Sequence, residues 1–369
     1  MLRRVVWGLL GALCLVLACA WLKPGHALPQ LSLPGGGVSP DVWCDSARLH
    51  LVYGRDEAVY YTSSTDDGKT LTTPRLLNDS HTAATVGRER GAKLAIGRNG
   101  LVHVVWLGPM GKRVFYTHDT HGGRFMQPQN LLPQGSDADG PSVAADDRGR
   151  VYVVWLRRVE GPDGRVSARI ELTVSNDDGR SFSAPETIEN RFSEDACPCC
   201  QTRALMGPDR AVTVAFRGAY RNLRDIYLIR GEEDSQRFAV SQVSDDHWRI
   251  DACPMAGPFV QAWAGSPRRL LTSWASDGEV YFAVSEDAGR SFGPRTAPSE
   301  RNVKTREHPI ALANPSGERL FAWVEGRGVR WQRITADGHV QSSGENTGLP
   351  ANSRPTAFVD RSGGFVLVY

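Results

Sequence analysis

The feature that most constrains this chain is a short unit, Ser-x-Asp-x-Gly-x-Ser/Thr followed by an apolar residue, that returns at a fixed distance. It is written "STDDGKTL" at 64–71, "SNDDGRSF" at 175–182 and "SEDAGRSF" at 285–292. Weaker copies are "THDTHGGRF" (117–125), "GEEDSQRF" (231–238) and "ITADGHV" (334–340). The six aspartates fall at 66, 119, 177, 234, 287 and 337, so neighbours are 50 to 58 residues apart. A period of this size means one supersecondary unit stacked on copies of itself. Within the unit, Asp tolerates a tight turn and accepts backbone N–H groups, and Gly supplies positive φ.

A β-branched strand ending in an aromatic precedes each copy. Examples are "LVHVVW" (101–106), "VYVVW" (151–155), "VTVAF" (212–216), "RLLTSW" (269–274) and "RLFAW" (319–323). "RLHLVY" (48–53) opens the series. Upstream of most lies a strand of small residues and a turn, as in "PSVAADDRGR" and "PIALANPSGE". Each unit therefore reads as strand, turn, strand, loop, strand, Asp turn, strand, which is one four-stranded antiparallel propeller blade. Six units account for residues 38–345, and the tail 354–369 begins a seventh copy. The expectation is an all-β, six-bladed propeller whose tail completes the first blade, because an open ring would leave unpaired edges. Trp106, Trp155, Trp274 and Trp323 recur at blade spacing and are expected in the core.

These units resemble the Asp-box (BNR-repeat) proteins, and in particular the six-bladed sialidase-like propellers. The resemblance covers most of residues 38–369. The order "YRNLRDIY", then "HWRIDACPM", is similar to a bacterial subgroup that also carries Cys-x-Cys-Cys. The resemblance implies that the Asp turn joins the third and fourth strands, away from the ligand face. It makes Asp66, Asp177 and Asp287 scaffold residues. It places ligand sites on the loops that enter each innermost strand and on those joining strands two and three.

The first residues carry Arg3 and Arg4 ahead of an unbroken apolar run at 5–22. This is an export signal or N-terminal anchor, with the remainder delivered across the membrane. Three endings compete: an imperfect lipobox "VLAC" that would lipidate Cys19, a cleavage site at "GHA" (25–27), or retention in the membrane. The organisation expected is a signal or anchor over 1–27, a linker over 28–37 and the propeller over 38–369. A net charge of +2 gives no field suited to nucleic acid. Membrane contact is expected only through the N-terminal segment.

Five cysteines follow that segment: Cys44, Cys197, Cys199, Cys200 and Cys253. Three sit in "EDACPCCQTRAL" (194–205), and the fourth in "IDACPMAGP", which repeats Asp-Ala-Cys-Pro and adds Met255. Aligning the repeats places both stretches in the loops entering blades four and five, with His308 of "REHP" in the equivalent place on blade six. Cys197, Cys199, Cys200, Cys253, Met255 and His308 are thus expected to converge near the channel mouth. Two readings fit. Thiolates with a thioether suit a soft metal, Cu(I) best and zinc next, with His247 as an imidazole ligand. Alternatively, a disulfide from Cys197 or Cys200 to Cys253 pins two blades together in an oxidising compartment. Cys44 falls in the first inner strand, where a small buried hydrophobe is expected.

Blade four also carries "FRGAYRNLRDIYL" (216–228), with Arg217, Arg221 and Arg224 in one loop. A guanidinium cluster there would bind a carboxylate or other anion, or would be a solvated basic loop. His50, His103 and His118 read as strand or turn residues.

The resemblance also implies what a hydrolase would need: three arginines on a sialic carboxylate, an aspartic acid, and a Tyr–Glu nucleophile pair. The first arginine would enter blade one in Phe/Tyr-Arg-Ile-Pro, but that entry reads "GGGVSPDVW" (35–43) without arginine. The candidates are Arg90, Arg203, Arg224 and Arg354 for the clamp, Asp139 or Asp195 for the acid, and Tyr220 with Glu194 for the pair. The function expected is therefore an exported propeller that binds a glycan, metal or protein at its mouth and holds copper or zinc through its Cys/Met cluster. The alternative is an exo-α-sialidase or related glycosidase.

Overall fold

Alternating β-branched and small residues, broken every few positions by Gly, Asp or Pro, give short strands and tight turns throughout. The computed structural model describes residues 27–369 apart from 46, 121–122, 162–163, 165, 189–194, 208, 232–236, 264, 267 and 300–304. The expected signal or anchor segment lies almost wholly outside the described residues.

Seven sheets radiate from one axis. Blade one comprises Val38–Cys44, Leu49–Arg55, Ala58–Ser64 and Arg75–Leu76. Blade two comprises Lys93–Ile96, Val102–Leu107, Val114–His118 and Gln129–Asn130. Blade three comprises Ala138–Ala145, Val151–Glu160, Val166–Ser175 and Glu186–Thr187. Blade four runs through Arg203–Met206, Val212–Arg217, Ile226–Gly231 and Phe238–Gln242. Blade five has Phe259–Ala262, Leu270–Ser276 and Glu279–Ser285, and blade six has Arg306–Ala313, Arg319–Glu325, Gly328–Ile334 and Val340–Thr347. Consecutive inner strands contact one another around a closed circle.

The count corrects the expected six blades. The first blade already owns four strands, so the tail has nothing there to complete. Instead Thr356–Val359 and Phe365–Val368 form a seventh blade, and Gln30–Leu31 joins it by parallel pairing with Phe365–Val368. Residues 28–37, the expected linker, thus supply a strand and the buried side chains of Leu28, Leu31 and Leu33. Asn346 accepts from the Leu28 N–H at 3.0 Å and returns a bond to its carbonyl at 2.9 Å, and the Tyr369 hydroxyl donates to Gln30 at 2.8 Å. Residues 28–31 and the C-terminal tail thus share one blade, whose inner strand Thr356–Val359 contacts those of blades six and one and closes the ring.

The Asp turns behave alike in blades one, three and five. In the third, the Ser175 hydroxyl donates to Asp177 Oδ1 at 2.7 Å, the Gly179 N–H donates to Ser175 Oγ at 2.8 Å, and the Ser181 hydroxyl donates to Asp177 Oδ2 at 2.6 Å. The same set joins Ser64, Asp66, Gly68 and Thr70, and Ser285, Asp287, Gly289 and Ser291. These donors, the Ser181 hydroxyl foremost, hold the Asp177 carboxyl down to about 2. The four repeat tryptophans are fully buried. Small inner-strand residues such as Ala95, Ala144, Ala204 and Ala357 leave a central channel of about 200 Å³. Cys44 lines it, half-buried, with burial pushing its thiol up to about 11.

Candidate functional site

At one end the channel opens into a cavity of about 50 Å³. Its rim is built by a repeated device. The inner strands of blades one, three and six shift register at Ser39–Pro40, Gly140–Pro141 and His308–Pro309. The residue before each proline has positive φ: 53° at Ser39, 53° at Gly140 and 46° at His308. Such a bulge bends the strand and re-aims the flanking side chains. For Ser39 and His308, both non-glycine, it is a costly conformation.

The cavity collects Asp41, Lys93, Gln201, Arg203, His308 and Arg354. Asp41 accepts from Arg203 and from the Leu94 N–H at 3.0 Å. His308 Nε2 faces Glu89 at 3.2 Å. Lys93 is 3% exposed, and among the described residues its Nζ has one hydrogen-bond acceptor, the Ala92 carbonyl at 3.5 Å. Burial first, then the Arg354 charge, pushes its amine well below the ordinary lysine range. Burial pushes the Arg354 guanidinium below its ordinary range, while the Glu89 and Asp41 charges support it. Gln201 Oε1 is buried without a donor.

The cysteines do not share this cavity, which corrects the expected convergence with His308 at the mouth. They gather beside a second cavity of about 210 Å³, lined by Asp195, Cys197, Cys199, Arg224 and Cys253 among others. Asp195–Cys197 is an extended segment laid between blades three and four. Ala196 pairs with Ala168 on the long blade-three hairpin and with Gly218 in the blade-four loop. The Cys197 N–H donates to the Arg217 carbonyl at 2.8 Å, and the Ala219 N–H to the Asp195 carbonyl at 2.6 Å. The second Asp-Ala-Cys-Pro stretch packs on the same loop. The Arg224 N–H donates to the Trp248 carbonyl at 2.9 Å, and Asn222 donates to Asp251 at 3.1 Å. Gly257 is needed for the approach, since a Cβ there would collide with the Gln201 carbonyl.

All four Sγ atoms lie within 4.8 Å of one another. Cys199 is disulfide-bonded to Cys253, while Cys197 and Cys200 are free and buried. A disulfide to Cys253 is as expected, but its partner is Cys199 and not Cys197 or Cys200. Cys199 is the most exposed of the three, whereas Cys197 and Cys200 are buried at 0% and 2% exposure, Cys197 still lining the cavity wall. Cys197 Sγ stands 2.9 Å from Cys200 Sγ and 3.7 Å from Cys199 Sγ. The hydrogen bond with Cys200, helped by the Cys199 N–H and the Arg224 and Arg217 charges, overcomes burial and holds the Cys197 thiol down to about 6. Burial and the Cys197 partner push the Cys200 thiol well up.

The blade-four arginines do not form the expected anion cluster. Arg217 is 1% exposed and spends its guanidinium on three carbonyls: Ala256 at 2.9 Å, Arg224 at 2.7 Å and Ala275 at 2.7 Å. Arg224 donates to the Ile250 and Ala252 carbonyls at 3.2 and 2.9 Å, leaving a buried Nε idle. Arg221 is exposed, its guanidinium over the Tyr220 ring. Tyr220 is 54% exposed and outside both cavities, and Glu194 lies outside the described residues. His247 is exposed, its Nδ1 against the Asp245 carbonyl at 2.6 Å, and it is not in the close ligand group. Met255 is half-buried two residues past Cys253. Of the clamp candidates, Arg90 is committed to Asp139 at 2.6 Å, which Arg158 also holds at 2.7 Å. Only Arg203 and Arg354 reach the mouth. Lys93, Asp41 and Gln201 were missed. The one available signal was a lysine inside the otherwise apolar inner strand "AKLAI".

No family model matches the chain, and no curated protein matches it in sequence. Solved propellers do resemble it in shape. The fucose-specific lectin from Aleuria aurantia aligns with a TM-score of 0.54 at 10% identity, covering 86% of this chain and 96% of the lectin. AofleA from Arthrobotrys oligospora aligns with a TM-score of 0.52 at 10% identity, covering 85% and 87%. An ulvan lyase of polysaccharide lyase family PL25, bound to -[GlcA(1-4)Rha3S]-, aligns with a TM-score of 0.51 at 10% identity, covering 91% and 87%. Likeness at this identity speaks to the fold alone.

Proposed function

We propose that this protein is an exported binding propeller that holds one soft metal ion, Cu(I) or Zn(II), in the four-cysteine cluster between the loops of blades four and five. One observation carries the reading: four sulfurs within 4.8 Å of one another, supplied by two separate loops. Four thiolates about 2.3 Å from one centre, at tetrahedral corners, stand roughly 3.8 Å apart. The Cys197–Cys199 separation of 3.7 Å meets this, and the Cys197–Cys200 separation of 2.9 Å must open by about 0.9 Å. Met255 is an accessory thioether if the ion is Cu(I). Export accords with the N-terminal apolar run and with a Cys199–Cys253 disulfide. The test is bound metal per chain after reduction, loading and desalting. One ion is expected, and it should be lost in a Cys197→Ser, Cys200→Ser double variant. A reduced protein that retains no metal sinks the reading.

A second reading, an anionic glycan bound or hydrolysed at the mouth, is favoured by Lys93, Arg203 and Arg354 lining the cavity together. Titration with a uronate or sialate, and turnover of a fluorogenic sialoside, test it. Binding or turnover lost in Lys93→Met supports a mouth ligand, and indifference to both compounds removes it.

A further inference from the structure

We propose that the Cys199–Cys253 disulfide is a redox lock on the four-cysteine site: closed, it withholds two of the four ligands, and its reduction opens a metal-binding state. The inference rests on the metal reading above and adds how that site is switched.

The four sulfurs differ in access. Cys197 and Cys200 are buried, whereas Cys199 is partly exposed and Cys253 exposed, both beside the cavity of about 210 Å³. A reductant entering from solvent therefore meets the disulfide first, and the two inner thiols stay sheltered behind it.

The loops carrying the bond are also held without it. Cys199 and Cys253 are 54 residues apart and sit in segments entering adjacent blades. Arg217 bridges those segments, since it donates to the Ala256 carbonyl past Cys253 and accepts from the Cys197 N–H through its own carbonyl. Arg224 holds the Ile250 and Ala252 carbonyls just ahead of Cys253. Asn222 holds Asp251, and Gly257 lies against Gln201. Breaking the S–S bond thus leaves Cys253 beside the other three sulfurs. The loops' positions therefore do not depend on the S–S bond alone, which is what a site with two redox states requires.

The step balances with a dithiol donor. One donor thiolate attacks a sulfur of the Cys199–Cys253 bond, forming a mixed disulfide and releasing the other cysteine as a thiolate. The donor's second thiol then displaces the bound cysteine. Two electrons and two protons pass to the protein, and the donor leaves as a disulfide. Four thiol ligands are then available where two were before. The reverse exchange with a small disulfide restores the lock and expels the ion.

The experiment uses the exported chain in both states. One portion is oxidised with glutathione disulfide; the other is reduced anaerobically with a phosphine, which is then removed. Zn(II) is titrated into each against a chromophoric chelator. The expected result is one tightly held ion in the reduced chain and at least about a hundredfold weaker retention in the oxidised chain. Equal retention in both overturns the lock while the metal reading stands. No retention in either overturns the metal reading itself. Cys253→Ser gives a second arm, with folding checked by its thermal transition. Its Zn(II) retention should no longer depend on glutathione disulfide, and retention that still collapses on oxidation contradicts the assignment of Cys253 to the lock.

Discussion

Arg217, on blade four, donates through Nε to the carbonyl of Ala256, on the segment entering blade five, at 2.9 Å. Its other nitrogens take the Arg224 and Ala275 carbonyls, so one buried fork ties three backbone segments around the cysteines. Each buried carbonyl left unpaired costs about 1–3 kcal/mol. Arg217→Ala should therefore lower unfolding free energy by roughly 3 kcal/mol or more in urea titrations. Arg217→Lys should recover little, because an ammonium cannot reproduce the planar fork. A loss below about 1 kcal/mol would mean that the fork is not the brace described.

Lys93 leads to a stabilising substitution. Its folded amine sits well below the ordinary lysine range through burial, so the unfolded chain binds the proton more readily. The group's stability contribution is fully present only above the unfolded pKa and is lost as pH falls towards the folded value. At neutral pH the buried amine is thus a liability. Lys93→Met should raise the thermal midpoint in a buffer of weakly binding ions, by roughly 2 kcal/mol in stability. It should also abolish stabilisation by any anion that binds the mouth. A destabilised Lys93→Met would show that the amine is better satisfied than its 3.5 Å contact with the Ala92 carbonyl indicates.

Two equivalent histidines set an acid limb. His50 Nδ1 meets the Tyr61 hydroxyl at 2.8 Å, and one blade on, His103 Nδ1 meets that of Tyr116 at 2.7 Å. Burial, more than the nearby charges, pulls them down to about 4 and about 3. Both stay neutral in the fold while the unfolded chain takes up protons below about 6.5. Stability from this pair is whole above that pH and drains away as pH falls towards the folded values, at up to roughly 1.4 kcal/mol per unit for each ring. Urea midpoints from about pH 7 to about pH 4 should decline, and more gently in a His50→Gln, His103→Gln variant. Parallel declines in the two proteins would show that other groups carry the limb.

The two-residue strand Gln30–Leu31 forms the outer edge of the seventh blade. Leu31 is 9% exposed, and its strand pairs with Phe365–Val368. Leu31→Ala should cost about 2–3 kcal/mol, the ordinary penalty for a buried leucine. If Leu31→Ala leaves the urea midpoint unmoved, the N-terminal strand contributes nothing to the stability of the seventh blade.

Much of the fold was legible because its signals are local. The Ser–Asp–Gly turns and the blade tryptophans each follow from a residue meeting its own neighbours in sequence. The tail read as the start of a seventh copy, but not as a blade of its own. It lacks an Asp turn, and the blade's third strand, Gln30–Leu31, is too short for any periodicity and arrives from the far end of the chain. The site divides the same way. Repeat register placed the two Asp-Ala-Cys-Pro loops together, but could not say which of Cys197, Cys199 and Cys200 faces outward, because that depends on how the loop turns between blades. Arg217 read as a ligand-binding cation, since sequence does not separate a guanidinium in solvent from one capped by three carbonyls. Lys93 was hidden for a related reason: its weight comes from the acceptors around it and not from its neighbours in sequence.

The central claim, a soft metal held by Cys197, Cys199, Cys200 and Cys253, is tested most directly by X-ray absorption at the metal edge of the reduced, loaded protein. The account predicts a sulfur shell at about 2.3 Å with three to four scatterers for Zn(II), and a sulfur-only shell for Cu(I). A shell of oxygen and nitrogen alone, or a metal signal unchanged in the Cys197→Ser, Cys200→Ser variant, would contradict it.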